Sequence, residues 1–179
     1  MRATALSAGL GAMALLSMMT PGTAGADPDQ APAEPTVTYL IGKCWNPSDP
    51  VIERPDQVVY NCDSTSVLEN VNWLSWGSDG AVGSGMDNSV DCTPDCAQGP
   101  HLYNPAIIHA WNPAPPTKVG CPADLQFYTD LTVAYPVGAP PWITPGTRWS
   151  PDTDFIEIDG MPAVHYKNPN PYSCTPLGQ

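Results

Sequence analysis

The chain of 179 residues carries 18 Asp and Glu against six Lys and Arg, a net charge of −12, together with 23 prolines and six cysteines. A surface this acidic repels phosphate backbones and anionic headgroups, which proteins hold with Lys and Arg, so nucleic acid is excluded as a partner. The prolines exclude long helices, since each one inside a helix costs about 3 kcal/mol, and they point to a loop-rich, all-β protein.

Arg2 precedes an apolar run over residues 3–19, which is followed by the small residues Ala24-Gly25-Ala26. This pattern predicts a signal peptide over 1–26, cut before Asp27. The run falls short of the ~20 apolar residues that span a bilayer, and no basic cluster follows it, so stable membrane insertion after cleavage is not expected. Every cysteine (Cys44, Cys62, Cys92, Cys96, Cys121 and Cys174) lies beyond the cut. In a secreted, extracellular protein an even number is read as disulfides, and six allow fifteen pairings. The remaining length of ~150 residues suits a single domain with a real core.

Residues 27–35 hold three prolines and no apolar periodicity, which predicts a flexible leader before a single β domain over 36–179. The β-branched and aromatic stretch 36–42 predicts a first strand, and 57–60 a second. In 67–76, period-two alternation puts Val71, Trp73 and Ser75 on one face and Asn72, Leu74 and Trp76 on the other. A tryptophan on each face predicts a strand covered on both sides. Gly77, Gly80, Gly83 and Gly85 then predict bends, a bulge or a backbone packed close to another element.

Cys92-Thr-Pro-Asp-Cys96 places two cysteines four positions apart. An extended segment would hold their Cα atoms ~13 Å apart, against the ~4.4–6.8 Å a bridge needs. A turn at Pro94 would close that gap; otherwise each cysteine pairs with a distant strand. Residues 106–111 predict a buried strand with Ile107, His109 and Trp111 on one face. Residues 125–135 predict the longest strand, its apolar face formed by Leu125, Phe127, Thr129, Leu131, Val133 and Tyr135. The proline-rich extension 136–179 begins with an irregular cover containing Trp142 and Trp149. It continues with a hairpin of 154–160 and 162–167 that turns at Asp159-Gly160.

Candidate chemistry is sparse. A zinc site needs clustered ligands, whereas His101, His109 and His165 are scattered and the cysteines are expected to be oxidised, so no metal is assigned. The carboxylates Asp79, Asp87, Asp91 and Asp95, or Asp152, Asp154, Glu157 and Asp159, are hard oxygen donors for calcium, but neither group has EF-hand spacing. Gly83-Ser84-Gly85 lacks the spacing of a nucleophile elbow. No cofactor is called for. Trp73, Trp76 and Trp111 read as core, which leaves Trp142 and Trp149 as the exposed rings that would stack on a sugar or anchor a protein partner.

Over residues 57–135 an ordered series of motifs stands out: Asn61-Cys62-Asp63, Trp73-Leu-Ser-Trp76-Gly77, Ala81-Val-Gly-Ser-Gly85, Cys92-Thr-Pro-Asp-Cys96-Ala-Gln-Gly99, and Cys121 followed by Phe127, Leu131, Thr132 and Tyr135. The series resembles a family of small secreted actinobacterial proteins that run Cys-Ala-Asp-Gly, Trp-x-x-Trp-Gly, Ala-x-Gly-x-Gly, Cys-x-Pro-Asn-Cys-Ala-x-Gly and a closing Phe-x-x-Leu-Thr-x-x-Tyr strand. The resemblance implies no particular activity. Asp63-Ser64 and Asp95 depart from the pattern, and Cys44 and Cys174 lie outside the shared block. Their common position outside it suggests that Cys44 pairs with Cys174.

These readings converge on an all-β, disulfide-braced, sandwich-like domain of about seven short strands with proline-rich irregular segments. The function expected is that of an exported, non-catalytic protein of the cell envelope or extracellular space that binds an unidentified protein or glycan. A carbohydrate-binding module and a small secreted hydrolase are the alternatives.

Overall fold

The computed structural model describes residues 36–117, 120–167 and 174; the expected signal peptide over 1–26 and leader over 27–35 lie outside the described residues. Among the described residues there is no helix, and hence none long and apolar enough to cross a membrane. The strands are β1 (Thr38–Leu40), β2 (Val58–Val59), β3 (Ser66–Ser75), β4 (Ala81–Val90), β5 (His101–Ala114), β6 (Leu125–Ala134), β7 (Arg148–Ser150), β8 (Thr153–Ile158) and β9 (Met161–Lys167).

They form one 9-stranded sheet in the order β2-β3-β4-β5-β6-β9-β8-β7, with β1 lying parallel to the first residues of β6. The all-β, disulfide-braced architecture matches expectation. Its core, expected between two sheets, is enclosed by a single curled one: Val58 and Tyr60, at one end of the strand order, share a cluster with Phe155, Val164 and Tyr166 near the other. Irregularities in the long strands go with the curl. Asn70 and Asn112 take left-handed backbone (φ 53 and 54), and the β3–β4 register shifts between Glu69 and Asn72 and again between Trp73 and Ser75. Each interruption of this kind adds local twist.

The first shift moves the inward parity of β3 from Ser66 and Leu68 to Val71 and Trp73, and the second alters its last residues. Val71 and Trp73 are buried as expected, but Leu74 is 76% exposed, so the strand is covered on one side only. Trp76 reaches the same core by coming round beyond the bulge; its ring meets Trp73 at 4.7 Å and Tyr128 at 5.5 Å, both edge-on. The glycines serve in two ways. Gly77 and Gly80 make the β3–β4 turn, Gly80 at φ 113. Gly83 lies within β4 beneath Trp73, where a Cβ would stand 2.8 Å from Cε3 of the ring.

In β5, Ile107, His109 and Trp111 do share a face, but it is the outer one; Ala106, Ile108 and Ala110 are buried instead. Trp111 is therefore not part of the core, contrary to expectation. Ala110 pairs with Ala81 and Ile108 with Gly83, so the inner face of β5 continues that of β4, where Trp73 lies on Gly83. Along β6 the apolar phase changes: Leu125 and Phe127 enter a small cluster with Leu40 and Cys174, whereas Tyr128, Leu131 and Val133 enter the main core. The expected final hairpin is present as β8 and β9, with Ile158 opposite Met161 and both Asp159 and Gly160 at positive φ, the conformation an Asp-Gly hairpin turn requires.

The disulfides are Cys44–Cys62, Cys92–Cys96 and Cys121–Cys174. The turn at Pro94 brings Cys92 and Cys96 together, but the expected Cys44–Cys174 pair is wrong. Because β1 and β6 run parallel with Thr38 beside Leu125, Cys121 lies before the shared stretch and Cys44 beyond it, at opposite ends. Cys174 sits with Leu125 and Cys121 and bonds the latter, while Cys44, at positive φ, bonds Cys62.

Candidate ligand-binding cleft

The alternation of β4 directs Asp87 and Ser89 inward beside the apolar side chains Leu68 and Tyr60, and both are fully buried. Asp87 accepts three hydroxyl protons. Tyr60 donates to Oδ1, while Ser89, at 2.8 Å, and Tyr135, at 3.1 Å, donate to Oδ2. Burial pushes the Asp87 carboxyl above its ordinary range, and the three donors oppose that shift. The phenols of Tyr60, Tyr135 and Tyr166 are all raised, chiefly by burial and then by the negative charges and phenols around them. A carboxylate here must be held by hydrogen bonds, since it lies beyond the reach of water.

Tyr60, Tyr135, Tyr166, Ser66 and Ser89 form the floor of a cleft of about 750 Å³. Its walls come from Trp142, Ile143, Trp149 and Phe155 on one side and from the loop bridged by Cys92–Cys96 on the other, with Asp63 and Asp91 also lining it. Lys43 enters from the turn after β1 and holds Nζ 4.7 Å from the centroid of the Tyr166 ring. Burial lowers the Lys43 ammonium from its usual range, while Asp152 partly restores it.

Both tryptophans singled out from sequence line this cleft. Trp142 is half-buried against the core next to Pro140 and Ile143, and Trp149 is 68% exposed with its ring 6.3 Å from Phe155. Sequence reasoning does not single out Lys43, Tyr60, Ser89 or Tyr135 as site residues, and it offers Asp87 only as a calcium donor. An Asp-x-Ser pair continuing the inward parity of Ala81 and Gly83 was the available signal: a carboxylate on a strand's inner face must have partners.

The other candidates do not assemble into a site. Asp79 lies in the β3–β4 turn and Asp87 is enclosed by hydroxyls, while Asp91 and Asp95 accept backbone N–H groups of their own loop. Asp154 pairs with Arg148, at 2.7 Å, and with Lys167. Among the described residues no group of three His, Cys, Asp or Glu is arranged to hold a metal ion. His109, Trp111 and His165 stack on the outer face at 4.6 and 5.3 Å, and His165 Nε2 lies 2.9 Å from Asp130; none of the three lines the cleft among the described residues. Set against protein-family models, curated proteins and solved structures, the chain matches none.

Proposed function

We propose that the protein is exported and works by binding rather than catalysis, with the cleft between Trp142 and Trp149 as its recognition site. The carrying observation is that two aromatic rings from an irregular segment stand over a floor of buried, fixed hydroxyls, which combines apolar contact with polar orientation. Three disulfides suit an oxidising compartment, and the apolar N-terminal run is the route to it. The likeness to small secreted actinobacterial proteins supports the same location. Among the described residues no histidine lines the cleft to pair with its serines, which weighs against the hydrolase alternative.

A glycan ligand is the second reading, favoured by Trp149, whose open ring at the mouth suits stacking on the apolar face of a sugar. The test is capture of cell-wall polysaccharide and of secreted proteins by the mature chain, compared with its Trp142→Ala and Trp149→Ala variants. Capture that both substitutions abolish supports the cleft as the site; capture indifferent to both overturns it.

A further inference from the structure

Each hydroxyl has one proton, and in the cleft floor those of Tyr60, Ser89 and Tyr135 are committed to Asp87. Toward the cleft these groups therefore offer lone pairs only, with a carboxylate directly behind them. No cation forms an ion pair with Asp87 among the described residues, where the bridges involve Arg148, Lys167 and His165. Within this floor Tyr166 presents its ring face, the negative end of the ring quadrupole, and the rings of Trp142 and Trp149 line the cleft beside it. Asp63 and Asp91 add negative charge to the lining, and Lys43 is its one cation among the described residues. The hydroxyls of Ser66 and Tyr166 keep their protons free, so what disfavours an anion and attracts a cation is the pair of lining carboxylates together with the Tyr166 ring that already holds an ammonium.

The protein's own Lys43 behaves accordingly. Its ammonium sits over Tyr166 with no carboxylate within ion-pair distance among the described residues. That placement follows if the ring is the most favourable position for a positive charge in the cleft. We propose that the ligand presents an organic cation, a primary or quaternary ammonium, which takes the place of Lys43 over Tyr166 while the flexible lysine side chain swings out to solvent. The inference rests on the cleft being the binding site and narrows its ligand. The same nitrogen chemistry is offered by a free small molecule and by a lysine side chain on a polypeptide, and the test separates the two.

The experiment titrates the disulfide-intact protein, followed by tryptophan fluorescence and calorimetry, with choline, with Nα-acetyl-lysine methylamide, with 3,3-dimethylbutan-1-ol (the uncharged isostere of choline) and with N-acetylglucosamine. Choline is expected to bind at least ~10-fold more tightly than the alcohol, and Lys43→Met is expected to tighten choline several-fold by removing the internal competitor. Lys43→Gln provides a second variant if the first folds poorly, with melting temperature as the control. Tighter binding of the lysine amide than of choline assigns the ligand to a polypeptide; the reverse assigns it to a free quaternary amine. Equal binding of choline and the alcohol, weaker choline binding in both Lys43 variants, or silence of both cations overturns the inference. N-acetylglucosamine binding that Trp149→Ala abolishes, with both cations silent, overturns the cation while leaving the cleft as the site.

Discussion

Tyr135, just past β6, donates its hydroxyl proton to Oδ2 of Asp87 on β4 across 3.1 Å, joining two strands that are not neighbours in the sheet. With the Tyr60 bond from beyond β2, it draws distant parts of the strand order onto one carboxylate beneath the cleft. Asp87→Ala would leave three buried hydroxyls without their acceptor, a loss only partly offset by removing a buried charge. We expect destabilisation of roughly 2–4 kcal/mol, and about 1 kcal/mol for Tyr135→Phe, by denaturant unfolding.

The same carboxyl has a pH signature. Its folded-state pKa is raised above the unfolded value, so the folded chain holds the proton more tightly, and the associated stabilisation is full at acid pH and lost as pH rises through the folded value. Asp87→Asn removes this dependence. The stability difference, wild type minus variant, should therefore fall as pH rises from about 3 toward neutrality. A difference that grew with pH would contradict the assignment.

Asp130 has the opposite sign. Burial pushes its carboxyl up, but bonds from Asn112, His165 and Thr129 together bring it below the ordinary range. Its contribution is present above the unfolded pKa and disappears as pH falls through the depressed value. Asp130→Asn should flatten the acid limb of the stability profile below about pH 4, measured by thermal melts in a pH series.

Gly83→Ala would drive a Cβ to 2.8 Å from Trp73 Cε3 and 3.0 Å from the Asn72 carbonyl. The ring is fixed between the sheet and Trp76, so a cost of about 1–3 kcal/mol is expected from overpacking. Gly138→Ala, with nothing within 4 Å of the new atom, should stay within ~0.5 kcal/mol and serves as the control. Urea denaturation midpoints of both variants check the pair.

The three disulfides close loops of very different length, with sequence separations of 53 for Cys121–Cys174, 18 for Cys44–Cys62 and 4 for Cys92–Cys96. On the chain-entropy account, the longest should exceed the shortest by roughly 2 kcal/mol. Paired Cys→Ser variants should lower the melting temperature in that order.

Much of the strand pattern was legible in the sequence, and the particulars show why. Asp159-Gly160 specified its own turn chemistry, and the apolar period of β6 required a buried strand whatever its neighbours. Trp111 was misplaced because parity tells which residues share a face but not which face is inside; the inner face of β5 continues that of β4, where Trp73 lies on Gly83. The pairing of Cys121 with Cys174 depended on a parallel contact between β1 and β6, whose partners lie far apart in the chain. Of the two rings expected to be exposed, Trp149 is open, whereas Trp142 packs half-buried against the core, a contact no local pattern in the proline-rich segment reveals. The floor of the cleft was not legible either, since Tyr60, Asp87 and Tyr135 come together only through the curl of the sheet.

The most direct test of the cleft as the binding site observes the six indole N–H resonances of the 15N-labelled protein during titration with choline and, separately, with a soluble cell-wall polysaccharide digest. The account predicts that Trp142 and Trp149 shift saturably with one of these additions while Trp73 and Trp111 hold still. Saturable shifts centred on Trp111, with Trp142 and Trp149 unmoved, would contradict it.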